Sequence, residues 1–359
     1  MDVLSCRLVT VAGRTYRVQG GGLVGDEFSS DNREGLSKAV GNEFADDFEF
    51  DESLVEKEDS GDYVTRISAD SEVYGFVVGK GGKTKSQIEQ ETETAIKIPK
   101  QGSQETPEIT IRGPSIPNVG SARLRVELIL ADNIAKKMDY NFFVSIPLCT
   151  PGVVARLKTF QEEILKKDNI STSGIEASIF QKPEHLHLTV LMLKLYSEEK
   201  RQIAFKTMKS AEKKIQELLN GEDLKVELRD LEYMNDDPSA MDVLFLEVKE
   251  KGGSSTLQQI CAMLVEEFSE AKLTLAKDER DVRMHVTILN TRYRRASSSE
   301  KGGGAPPGRL PFDGRVLLAG HSNLDLGEVT VNEIHLSKRG EYDPKTRYFH
   351  CAEMIHAQR

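Results

Sequence analysis

His187-Leu188-Thr189 and His285-Val286-Thr287 repeat one spacing 98 residues apart, inside the apolar runs HLHLTVLML and RMHVTILN. Both runs read as strands. In a strand, residues i and i+2 point to the same face, so each motif sets an imidazole beside a hydroxyl. Two imidazoles across a cleft form an acid and a base near neutral pH. Two threonine hydroxyls can hydrogen-bond the non-bridging oxygens of a phosphate held between them. Such a set would cleave or rearrange a phosphodiester without a metal. A single His-x-Thr on a half-buried strand says little. Two in matching strands make His187, Thr189, His285 and Thr287 the candidate catalytic group. Two residues before each motif stand His185 and Arg283, a flanking pair of cations expected on the same face and suited to holding phosphate. His321, His335, His350 and His356 have no threonine at that spacing and read as surface or packing residues.

A second cluster has a different character. Gly79-Lys80-Gly81-Gly82 is followed by Lys83 and Lys85, and no acid occurs from Val73 to Gln87. Glycines let the backbone approach a phosphate closely and leave N–H groups to point at it. The spacing does not fit a P-loop, which needs four residues between its first glycine and the Gly-Lys pair, and a strand before them. Gly79, Lys80, Gly81, Gly82 and Lys83 are the candidate nucleic-acid contacts.

These residues need elements to position them. Residues 61–137 predict a small α+β domain in the order strand, helix, helix, strand, strand, helix, with the glycine loop between the helices. TAIKIPK and EITIRG alternate as strands, placing Ile96 with Ile98 and Ile109 with Ile111. Residues 138–359 predict a larger unit. FFVSIPL, an amphipathic helix and HLHLTVLML form one half. VLFLEV, the helix STLQQICAMLVEEFSEA and RMHVTILN form another, and EVTVNEIHLS and YFHCAEMI read as two closing strands. The repetition predicts pseudo-twofold halves with a shared site between them. RRASSSEKGGGAPPGRLP reads as a surface loop.

The chain has 359 residues, more than one hydrophobic core usually spans. No apolar run approaches the ~20 residues that cross a bilayer, and the first residues lack the order of a signal peptide. Four separated cysteines give no disulfide scaffold and no zinc pattern. An intracellular protein without metal or cofactor is expected. The net charge of −10 is local. Asp26–Ser60 carries thirteen acids and three bases, so the rest of the chain sums to zero and can hold basic patches. Residues 1–60 are expected to be a strand-like peptide followed by a disordered acidic segment, either a solvated linker or a peptide that docks a partner subunit.

Tyr74, Val77, Val78, the glycine loop, Ile88, Thr92, Ile96 and Pro99 closely resemble a KH domain of the eukaryotic type. The resemblance implies that Gly79–Gly82 clamp the backbone of single-stranded RNA, or single-stranded DNA, beside a groove marked by Ile88 and Ile98. The paired His-x-Thr strands resemble the two-histidine phosphoesterases, which act on cyclic phosphates, 2′,5′-linked nucleotides or RNA ends. The expected fold is therefore α+β: a KH domain (βααββα) followed by a bilobal two-histidine phosphoesterase. That order, with LEYMNDDP and FDGR, is similar to the family of subunit 1 of the activating signal cointegrator 1 complex. The likeness implies a nuclear protein with a helicase partner subunit, linked to transcriptional coactivation and alkylation-damage repair. No membrane partner is expected, since no apolar run is long enough to cross a bilayer. Two functions follow as expectations: an RNA phosphodiesterase, or a noncatalytic adaptor whose cleft only binds.

Overall fold

The computed structural model describes residues 7–11, 14–18, 51–100, 102, 106–168, 170–294 and 310–358. Most of the acidic segment and residues 295–309 of the Ser/Gly/Pro loop lie outside them, as does the docking role assigned to the former. The chain divides into two units. One runs to Asp139 and includes Lys194–Gln202; the other comprises Tyr140–Leu193 and the chain from Ile203 onward.

In the first unit, β1 (Arg7–Val11) and β2 (Arg14–Val18) form an antiparallel hairpin. The sheet proper has the order β3-β4-β6-β5, built from β3 (Glu56–Lys57), β4 (Tyr63–Ser68), β5 (Ala95–Lys97) and β6 (Glu108–Gly113). Three helices, α1 (Tyr74–Val78), α2 (Lys83–Thr92) and α3 (Ile116–Lys137), complete the βααββα order from β4 onward. Alternation places Ile109 and Ile111 on one face, both 0 % exposed, against Val119, Ala122 and Val126 of α3. Ser115 starts that helix by accepting from the Asn118 N–H. The end of the acidic run is folded. Glu56 pairs with Arg66 at 2.6 Å and Glu58 with Arg112 at 2.7 Å, and β3 extends the sheet. The bases that pair with these acids sit on β4 and β6, 10 and 54 residues away and outside the run, which is why the run looks unpartnered in sequence.

The second unit holds one eight-stranded antiparallel sheet of order β12-β9-β10-β11-β8-β7-β13-β14. Its strands are β7 (Phe142–Pro147), β8 (His187–Leu193), β9 (Lys225–Tyr233), β10 (Val243–Glu250), β11 (His285–Asn290), β12 (Asp325–Thr330), β13 (Glu333–Tyr342) and β14 (Phe349–His356). The helices are α4 (Pro151–Leu165), α5 (Glu198–Leu219, of which Ile203 onward belongs to this unit), α6 (Thr256–Glu270) and the short α7 (Arg315–His321). The units β7-α4-β8 and β10-α6-β11 repeat one plan, a helix joining two antiparallel neighbours. Val153, Leu157, Phe160 and Ile164 on α4, and Leu257, Ile260, Leu264 and Phe268 on α6, form the buried stripes. EVTVNEIHLS is not one strand. It ends β12 at Thr330 and begins β13 at Glu333, and these strands belong to opposite halves of the sheet. No helix among the described residues is long and apolar enough to cross a membrane.

Candidate active site and nucleic-acid loop

β8 and β11 are the two central strands, where the halves meet, and Leu188 pairs with Val286. Antiparallel pairing at that point sets each histidine opposite the other motif's threonine. The burial sequence is the same in both strands. The histidine and threonine are half-buried, while Leu188 and Val286 between them are 0 % exposed.

Both strands also carry a bulge at one place. Ser145 of β7 pairs with Thr189 and Val144 with Leu191, which skips Val190. Phe245 of β10 pairs with Thr287 and Leu244 with Leu289, which skips Ile288. A bulge twists a strand locally and redirects its side chains. Here it falls just after each threonine, so the three motif residues keep strict alternation while the strand beyond changes phase.

The imidazoles are held alike. Nδ1 of His187 lies 2.6 Å from the carbonyl oxygen of His185, and Nδ1 of His285 lies 2.8 Å from that of Arg283. A carbonyl only accepts, so each Nδ1 carries the hydrogen. Nε2 of each ring is left as a base when the ring is neutral and as an acid when it is protonated. Among the described residues, no group partners the hydroxyl of Thr189 or Thr287.

Aromatic rings enclose the histidines. Phe143 and Phe349 stand 5.2 and 5.3 Å from His187, and Phe245 stands edge-on to His285 at 5.3 Å. Burial pushes the His187 imidazole down to about 4, against the hydrogen bond to His185, with the charges of His185 and His285 adding to the fall. Burial lowers His285 as well. The ring of His187 is therefore neutral at pH 7. In the unfolded chain it would take a proton near pH 6.5, so its share of stability is intact above that value and is lost as pH falls toward 4. Titration of the His187 Cε1–H by NMR is expected to show a midpoint well below 6.5 that rises when a phosphate anion is bound.

The flanking pair behaves differently from the strand-face expectation. His185 ends a 3-10 turn, Pro183–His185, and strand alternation begins only at His187. Its ring is 6 % exposed and stacks on Tyr342. Arg283 is exposed, but its guanidinium lies over Phe245 at 4.5 Å. What the two positions share is a carbonyl that orients a histidine. The aromatic enclosure had no signal in the sequence, because its members come from β7, β10 and β14.

In the first unit, Gly79–Gly82 join α1 to α2. Gly79, Gly81 and Gly82 have φ of 72°, 61° and 80°. A Cβ at Gly79 would collide with Thr84, whose backbone N would lie 2.9 Å away. Lys80, Gly81 and Lys83 are exposed, whereas Lys85 is paired with Glu89 at 2.7 Å. Ile88 does not line a groove; it is 4 % exposed in the core, and Ile98 is partly buried against that core. On α2, the stripe that faces the sheet includes position 88. Among the described residues, no three His, Cys, Asp or Glu side chains gather as a metal site in either unit.

Comparison with known proteins matches two families along the chain. The family model of the AKAP7 2′5′ RNA ligase-like domain matches residues 140–356, and that of the KH domain matches residues 64–128. Activating signal cointegrator 1 complex subunit 1 of Mus musculus is 33 % identical over 372 residues, covering 99 % of each chain. The chain belongs to this family. Distant likenesses among solved structures cover 61 % of it. A Thermus thermophilus protein is 19 % identical over 98 % of its length with a TM-score of 0.39. E. coli LigT complexed with NADP+ is 15 % identical over 98 % of its length with a TM-score of 0.35. As a member of the activating signal cointegrator 1 complex subunit 1 family, the chain is a KH domain followed by a phosphoesterase fold of the α+β class.

Proposed function

We propose that the protein is an RNA-binding phosphodiesterase that acts on RNA ends or cyclic phosphates by His/His acid–base catalysis. The observation that carries this reading is the matched hold on the two imidazoles, each Nδ1 committed to a carbonyl two residues upstream. A site that merely bound phosphate would need no fixed tautomer on both sides. With a phosphodiester between the strands, we assign His187 as the base, since burial holds its ring neutral near pH 7. It takes a proton from the attacking water or hydroxyl, the new P–O bond forms, and His285 gives its proton to the departing oxygen. Thr189 and Thr287 hydrogen-bond the non-bridging oxygens, whose charge grows in the transition state.

The KH loop supplies single-stranded RNA, or DNA, to the same polypeptide and so raises the local concentration of strand ends. The nuclear location, helicase partner and repair role that the family resemblance implies go with this reading. The alternative, a noncatalytic adaptor, predicts binding without turnover. Product analysis on short RNAs ending in 2′,3′-cyclic phosphate separates the two. Two imidazoles supply acid and base without a Lewis acid, so turnover is expected to survive EDTA. Complete loss with chelator, restored by Mg²⁺ or Mn²⁺, would sink the mechanism.

A further inference from the structure

On the His187 side, an aromatic tract runs from the imidazole to the surface. Phe349 stands edge-on to His187, and Tyr342 lies 5.3 Å beyond Phe349. His185 stacks on Tyr342 at 4.5 Å, with the rings 8° from parallel. Tyr342 is nonetheless 48 % exposed. Tyr342 ends β13, and the turn that follows it is firmly built: Asp343 accepts from the backbone N–H groups of Lys345 and Thr346 at 2.8 and 2.7 Å. Lys182 Nζ lies 5.5 Å from the centre of the Tyr342 ring, and Arg347 is exposed on the same turn. The acids nearby are engaged. Glu184 is paired with Lys158 at 2.7 Å, and Glu341 with Lys338 at 2.5 Å. A held, exposed ring amid positive charge suits a stacked base and its phosphate. On the His285 side the aromatic neighbour, among the described residues, is Phe245, which is 1 % exposed under Arg283.

We propose that this rim binds the nucleotide next to the scissile phosphate, its base stacked on Tyr342 and its phosphate held by Lys182 and Arg347. The proposal rests on the phosphodiesterase reading for the position of that phosphate, and it adds a substrate class. The substrate is a single-stranded oligonucleotide, with a lone cyclic nucleotide much poorer. Every base has a flat face, so the rim selects for strand and tolerates sequence.

The test compares kcat/KM for a tetranucleotide ending in 2′,3′-cyclic phosphate with that for the 2′,3′-cyclic mononucleotide, using the full chain. Tyr342→Ala is expected to cut the preference for the tetranucleotide on the order of tenfold, mainly through KM, and Tyr342→Phe to retain it. An unchanged ratio overturns the proposal, because a purely structural role would lower both substrates together. A second measurement needs no turnover. In a chain carrying Lys80→Asp and Gly81→Asp to disable the KH loop, tetranucleotide binding measured by fluorescence anisotropy should weaken on the order of tenfold with Tyr342→Ala. Lys182→Ala should weaken it less and flatten its salt dependence. Binding that ignores both changes also overturns the proposal. If the wild type turns over neither substrate while binding still depends on Tyr342, the phosphodiesterase reading fails, and only the stacking of a strand's base on the rim survives, with no scissile phosphate beside it.

Discussion

Alanine at His187 or at His285 is expected to lower turnover roughly 10²–10⁴-fold, and the double variant to be little worse than either single one. Acid and base act in one transition state, so losing either disables the same step and the losses do not add. Thr189→Ala and Thr287→Ala should each lower turnover roughly 10- to 100-fold, since each removes a charge-assisted hydrogen bond of about 1.5–3 kcal/mol. Leu188 and Val286 remain to hold the strands together in every variant, so the fold should survive. The pH profile of kcat/KM adds a sharper check. The base must be neutral, which sets a rise through about 4, and the acid must be protonated, which sets a fall below 6.5. The optimum for the free protein therefore lies on the acid side of neutral, and a bound anionic phosphate moves the kcat profile upward. If the single histidine variants keep the wild-type rate, these strands are not the active site.

The strand positions of the four candidate residues were legible because alternation and repetition are both written locally. The i−2 positions were visible too, but only as side chains. A sequence displays the side chains of His185 and Arg283, whereas the fold uses their carbonyls, which every residue has. The bulges after Thr189 and Thr287 depend on pairing with β7 and β10, so no local pattern marks them. EVTVNEIHLS alternates without a break, yet Val331 and Asn332 carry the chain from one half of the sheet to the other. Alternation reports burial of one face and says nothing about which neighbour provides it. Ile88 shows the same limit on a helix. Its type and spacing marked it as apolar, and only the packing of α2 on the sheet shows that it faces inward.

Lys80→Asp combined with Gly81→Asp is expected to weaken binding of single-stranded RNA by at least about tenfold while the domain stays folded. The structure makes this a clean substitution. Gly81 has φ 61° and ψ 26°, a left-handed conformation that aspartate tolerates better than most residues, and a Cβ there meets nothing within 4 Å. Lys80 is exposed and caps no buried group. The change replaces one positive charge by two negative ones where a phosphate would lie. Losing one cation–phosphate contact should also reduce the slope of log affinity against log salt by about 0.7. Gly79→Asp is the contrasting control: its side chain would run into Thr84 and distort the junction, so it should lower stability as well as binding. Unchanged affinity and salt slope in the folded double variant would mean that this KH domain does not hold nucleic acid through its loop.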